Sequence, residues 1–233
     1  MSMTKKAYSD NSTLVEKAYS MIKADFAQGV LAPGQKIIFR ELTERYGISE
    51  TPIKQALNRL VTEGLVESIP RKGMRVATHS VQDFCEVLDI RYALETFLAP
   101  TVMEAVSYHP EYLTLLENNI QKHYTAIERG TTQINDFIEI YNIDHDFHLL
   151  FISFANHKQA LKVYQSIGAH SFSLFLYNKK PKSKLLAGVA EHEAIVDALK
   201  KQDLSALQEA IRVHMQNAKA SINFMQAPPI NDL

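Results

Sequence analysis

The chain has no tryptophan, one cysteine, and only eight glycines and eight prolines among 233 residues. A lone thiol, Cys85, excludes an intrachain disulfide framework, and the N-terminal MSMTKKAYSDNS lacks the apolar centre of a signal peptide. A reducing, cytoplasmic compartment is expected. So few helix breakers favour long helices. No run approaches the ~18 apolar residues of a membrane span, which argues against a membrane partner. An excess of charge of one sign is missing too, with 25 Lys/Arg against 26 Asp/Glu. That balance hides a split. Residues 1–78 carry 12 basic and 8 acidic side chains and the remainder 13 and 18, so only the first part suits a polyanion. With 46% hydrophobic residues, there is ample material for a buried core.

Along the chain, apolar residues recur at helical spacing from Leu14 to Phe26, until Gly29 and Pro33-Gly34 intervene. A short helix is predicted from Arg40 to Tyr46, ended by Gly47, and Ser49 is the expected cap of the next. That helix carries Pro52 in its first turn and a buried stripe of Ile53, Ala56, Leu57, Leu60 and Val61. Two strands, 65–69 and 74–77, then flank a basic hairpin tip with Arg71, Lys72 and Gly73. Two helices, a tight turn and such a hairpin make a winged helix-turn-helix, a double-stranded DNA reader. Beyond Thr78, helices are predicted near 80–106 (with a kink at Pro100), 111–129, 135–155, 157–177, 183–201 and 204–225, followed by a loose tail. The fold class is therefore mainly α. Residues 1–78 form the winged domain with its small β-hairpin wing, and residues 79–233 form an antiparallel bundle of six to seven helices.

Residues 10–78 resemble the GntR family of bacterial transcription regulators. The resemblance rests on Leu31-Ala32-Pro33-Gly34, Glu41-Leu42-Thr43 through Ser49, Thr51 through Leu57, and Glu63 through Val66, in that order. It implies DNA contacts at Arg40, Ser49, Thr51, Lys54 and Gly73. Hydroxyls at a helix N-terminus and exposed cations suit phosphates on independent grounds. Glu50 departs from the family's usual arginine: a carboxylate cannot bind guanine O6/N7 or a phosphate, though it can accept from a cytosine amino group. The operator sequence is not transferable. Lys54 likewise puts a point charge where a bidentate fork is usual.

Of nine histidines, three are placed by geometry. Asp144 and His148 lie one helical turn apart on an apolar face. His192 and His214 are each 11 residues from Asp203, the expected cap between two antiparallel helices, which brings their imidazoles level. One carboxylate and three imidazoles suit a divalent ion: zinc first, then nickel, manganese or iron. Three buried histidines with separate partners are the alternative. His145 is expected to be exposed and His123 a core histidine; His79, His109, His157 and His170 carry no pattern. The blocks Asp144-His145-Asp146-Phe147-His148 and Glu191-His192-Glu193-Ala194-Ile195, with the later His214, resemble the metal-binding FCD ligand-sensing domain of FadR-type GntR regulators.

Arg91 lies on the apolar stripe of Phe84, Leu88 and Leu98, where a charge needs a partner. Two readings stand: a pair with Glu95, or a contact to a small carboxylate effector. The resemblance puts an arginine of this helix near the cavity. The expectation is a homodimeric, DNA-binding repressor controlled by a small organic acid at a metal centre, not an enzyme. A metal-dependent hydrolase and a pure metal sensor are the competing readings. The hydrolase needs a general base, and Glu191 and Glu193, each about 100° from His192 on the helical wheel, are expected to face away.

Overall fold

The computed structural model describes residues 13–130, 134–167 and 180–226. Helix α1 (Leu14–Gln28) opens on a capping box, in which the Glu16 N–H donates to Thr13 Oγ1 at 3.3 Å and the Thr13 N–H to the Glu16 carboxylate at 2.8 Å. Its buried face of Ala18, Ile22 and Phe26 packs on α3. A two-residue strand β1 (Lys36–Ile37) leads to α2 (Phe39–Tyr46) and α3 (Glu50–Thr62). Gly47, at φ 65°, occupies the left-handed region, so the chain turns from α2 to α3 within three residues. Ser49 takes the N-cap position of α3 but makes no capping hydrogen bond, which leaves its hydroxyl available. Ile53, Ala56, Leu57 and Leu60 are buried, whereas Val61 is only half-buried.

The wing consists of β2 (Val66–Ile69) and β3 (Gly73–Val76), antiparallel, with Val66 opposite Val76. β1 adds to the far edge of β3, giving the order β1-β3-β2. The sequence reading has no β1, because two residues cannot display an alternation.

Residues 77–80 join the wing to α4 (Val81–Tyr108), which Ser80 and Asp83 cap reciprocally. His79 Nε2 lies 3.1 Å from the Gly64 carbonyl, which ties this linker back to the winged domain. At ~1.5 Å per residue α4 is ~42 Å long, and it continues through Pro100 without ending. Helices α5 (Glu111–Arg129), α6 (Ile134–Phe154), α7 (Lys158–Ser166), α8 (Lys182–Lys200) and α9 (Leu204–Gln226) complete the bundle among the described residues. The helix expected at 157–177 is α7 as far as Ser166; its part from 168, His170 included, and the tail from 227 lie outside the described residues. α9 packs on α4 and α8, α5 on α6 and α8, and α4 on α6. Asp203 accepts from the Ala206 N–H at 2.9 Å and starts α9. No helix among the described residues is long and apolar enough to cross a membrane.

Candidate metal and effector site

Where α4, α6, α8 and α9 meet, three imidazoles converge. His148, His192 and His214 are 0%, 0% and 6% exposed, with ring centroids 4.8–5.0 Å apart. His148 Nε2 lies 3.2 Å from His192 Nε2, and Asp144 Oδ1 lies 3.8 Å from that same His192 atom. Phe147 stacks on His192 at 4.0 Å and holds the ring in plane. The structure thus brings together all four residues singled out by the sequence.

Carboxylates behind the rings set their protons. His148 Nδ1 lies 3.3 Å from Glu95 Oε2, and His214 Nδ1 lies 2.8 Å from Glu191 Oε2. A carboxylate accepts, so each Nδ1 carries the hydrogen and each Nε2 turns a lone pair inward. Burial pushes the His148 and His192 imidazoles well below their ordinary pKa, and the positive charge of Arg91 acts in the same direction on His148. For Asp144, burial alone would raise the carboxyl, but the imidazoles of His192, His148, His123 and His214 hold it below the usual range. Neutral His148 and His192 imidazoles beside an ionised carboxylate are the protonation states in which such groups ligate a cation. The donor set therefore fits a divalent ion.

Glu191 overturns an expectation, since it faces the cluster. Asn217 Nδ2 donates to its other oxygen at 2.7 Å, so both carboxylate oxygens are engaged. The helical wheel relates Glu191 to His192 on its own helix and is blind to His214 on the neighbouring α9. Glu193 does face away, accepting from the Tyr124 hydroxyl at 3.0 Å. His145 is half-buried rather than exposed: its ring stacks on Tyr164 of α7 at 6.1 Å, and burial brings its pKa down to about 4. His123 is buried as expected, yet beside Asp144 and His192.

Arg91 makes the expected pair with Glu95. Its Nε donates to Glu95 Oε1 at 3.1 Å, with the two side chains 5% and 1% exposed. It also lines a cavity of about 190 Å³ whose wall includes Asp144, Lys180, Lys184, Glu191 and His214. Burial pushes the Glu95 carboxyl up, with Arg91 and His214 pulling it the other way. The volume equals roughly six waters at ~30 Å³ each, enough for a small organic acid. Lys180 and Lys184 went unnoticed in the sequence; the only signal available was the basic run around Pro181.

On the winged domain, Thr51, Lys54, Gln55 and Asn58 share the exposed side of α3, and the last two also went unnoticed in the sequence. Glu50 holds Lys54 Nζ at 2.6 Å, and Glu44 holds Arg40 Nε at 2.8 Å, so two expected phosphate contacts are engaged in exposed ion pairs. Arg71, in the left-handed region at φ 63°, Lys72 and Gly73 form the wing tip.

Between the two parts lies a polar junction. Lys23 of α1, 5% exposed, places Nζ 3.2 Å from the Tyr19 hydroxyl, 3.5 Å from Asn142 Oδ1 and 5.1 Å above the Tyr141 ring. Tyr19 donates to Glu63 at 2.8 Å, and Glu63 takes Arg59 of α3 at 3.1 Å. Tyr141 precedes Asp144 by three residues on α6, so one turn of helix separates this junction from the imidazole cluster.

Residues 14–76 match the family described as bacterial regulatory proteins, gntR family, and residues 86–217 match the FCD domain. The chain is 26% identical over 211 residues to the HTH-type transcriptional repressor RspR of Escherichia coli, covering 89% of this chain and 88% of that protein. It is 24% identical over 201 residues to YdhC of Bacillus subtilis, an HTH-type transcriptional regulator, covering 85% and 86%. The solved structure of E. coli McbR/YncC superposes with a TM-score of 0.71 at 24% identity, covering 93% of this chain and all of that one.

Proposed function

The chain belongs to the GntR family of transcriptional regulators that carry an FCD domain, which are regulators and not enzymes, and from that premise we propose that it is a homodimeric repressor whose grip on operator DNA is set by a small carboxylate at a divalent-metal site. The observation that supports this most is the set of inward Nε2 lone pairs, fixed by Glu95 and Glu191, beside a cavity lined by Arg91, Lys180 and Lys184. Asp144, His148, His192 and His214 would hold the ion; zinc, nickel, manganese and iron(II) all suit this N/O set. Such an ion supplies a positive pole for an oxyanion. Arg91 offers a planar fork, one nitrogen of which, Nη2, has no hydrogen-bond partner among the described residues.

Those cations favour an organic acid over metal sensing alone. A hydrolase is disfavoured further by Glu191, whose oxygens are both engaged and which therefore has no free pair for a water. On the DNA side, Arg40, Ser49, Thr51, Lys54 and the Arg71-Lys72-Gly73 tip would meet phosphates, with Glu50 at the groove. Ile90, Phe97 and Tyr108, exposed along one face of α4, offer an apolar strip to a second copy. The junction at Lys23 gives α6 a direct hold on α1 and, through Glu63 and Arg59, on the recognition helix.

The test is metal content by mass spectrometry, combined with anisotropy on a DNA duplex selected from a random pool. Wild type should retain about one ion per chain and change its DNA affinity with lactate, malate or citrate. His192→Ala and His214→Ala should lose both properties. A protein that holds no metal, or whose acid response survives chelation, overturns the reading.

A further inference from the structure

His123 of α5 is 1% exposed, and neither of its ring nitrogens has a hydrogen-bond partner among the described residues. A neutral imidazole has one donor and one acceptor, and leaving either unmade in a buried site costs stability. Buried polar atoms nearly always find a partner. This side chain is therefore suited to a group that the described residues do not supply.

Its surroundings narrow the choice. Because α5 packs against both α6 and α8, a His123 ring nitrogen, an Asp144 oxygen and a His192 ring nitrogen come within 4.8 Å of one another. His192 belongs to this group and equally to the cluster with His148 and His214, and Asp144 Oδ1 lies 3.8 Å from its Nε2. Two donors on one ion, each ~2.1 Å from it, stand about 3–4.2 Å apart, so side-chain adjustments of up to ~1.8 Å bring His123 into range. The effector is a poorer match, since His123 is not on the wall of the cavity that holds Arg91 and Lys184. The pocket collects lone pairs around an anion, and a cation satisfies all of them at once.

We propose that His123 is a fifth protein donor to the divalent ion held by Asp144, His148, His192 and His214. The inference rests on the metal reading above. Five donors would leave a six-coordinate ion one position for an incoming carboxylate, and Arg91, on the wall of the same cavity as Asp144 and His214, would pair with that acid.

The test uses the full chain, labelled with 15N-histidine and titrated with zinc while long-range proton–nitrogen spectra follow the ring nitrogens. Four histidines should change their lone-pair nitrogen shift at one equivalent of zinc, with the His123 signal assigned by its loss in His123→Phe. Three shifted histidines with His123 unmoved, at full zinc occupancy, overturn the fifth donor and leave the four-donor site standing. No shift and no retained zinc overturn both. His123→Phe, measured by chelator competition, should bind zinc at least ~10-fold more weakly, the loss typical of a removed metal-site partner; an affinity within twofold of wild type counts against the proposal. If that variant does not fold, the count of four or three in the unaltered protein decides alone.

Discussion

Replacing Glu95 by glutamine separates two tasks that one buried carboxylate performs. Its Oε1 takes Arg91 at 3.1 Å and its Oε2 faces His148 Nδ1 at 3.3 Å. Removing the charge strands a guanidinium that is 4% exposed, and breaking a buried pair from one side costs about 3–5 kcal/mol. For a chain of this size each kcal/mol moves the midpoint by about 2–4 °C, so the chelator-treated variant should melt roughly 6–20 °C below wild type. The second task shows only with metal bound. Glu95 keeps the His148 proton on Nδ1, and losing such an outer partner weakens metal affinity by about 10–100-fold. At a fixed metal excess this removes a further ~1.4–2.7 kcal/mol from the metal-dependent stabilisation, which follows RT ln(1 + [L]/Kd). Calorimetric scans of chelated and zinc-loaded protein read the two quantities separately. Arg91→Met added to Glu95→Gln should recover much of the metal-free midpoint and none of the metal increment. Wild-type values for both quantities in Glu95→Gln would refute the reasoning.

Glu50→Gln should release Lys54 from its 2.6 Å pair, strengthen DNA binding and steepen the salt dependence by up to ~0.9 in log–log slope; an unchanged slope means Lys54 meets no phosphate. Lys23→Met should retain its metal by mass spectrometry yet lose the change in DNA affinity on adding acid, because the contact to Asn142 and the Tyr141 ring is gone; an undiminished response places the coupling elsewhere. The third expectation concerns pH in metal-free protein. His123, His148 and His192 have folded pKa values below the unfolded ~6.5, so below that pH the unfolded chain binds more protons and stability falls, by up to ~1.4 kcal/mol per pH unit for each imidazole. Above pH 7 these groups contribute no slope. Urea denaturation between pH 8 and 5 checks this, and a flat profile contradicts their neutral burial.

The parts of the site legible in the sequence are those encoded by spacing. Asp144 and His148 share a face because one turn separates them, and His192 and His214 meet because Asp203 folds two helices back at equal distances. Everything that depends on which helices are neighbours was harder to see. Glu191 looks idle from the wheel of α8 and is engaged only because α9 lies alongside. His123 resembles any core histidine until α5 is laid against both α6 and α8. The ion pairs of Arg40 with Glu44 and of Glu50 with Lys54 follow the i,i+4 rule and are legible in the sequence. Strand β1 is too short to carry a pattern, and its place in the sheet is set by β3 rather than by its own residues.

The linker at residues 77–80 sets the kind of movement open to the winged domain. Four residues reach at most ~14 Å when fully extended, and here His79 is held at the Gly64 carbonyl while Ser80 is locked into the start of α4. The domain hangs on a short hinge beside the far stiffer rod of α4. It can turn about that hinge but cannot travel away from it. Occupancy of the site near Arg91, ten residues along the rod, would therefore be expressed at the recognition helix as a rotation rather than a separation. Probes that report orientation, such as residual dipolar couplings, suit this motion better than distance probes sensitive only to separations of tens of ångströms.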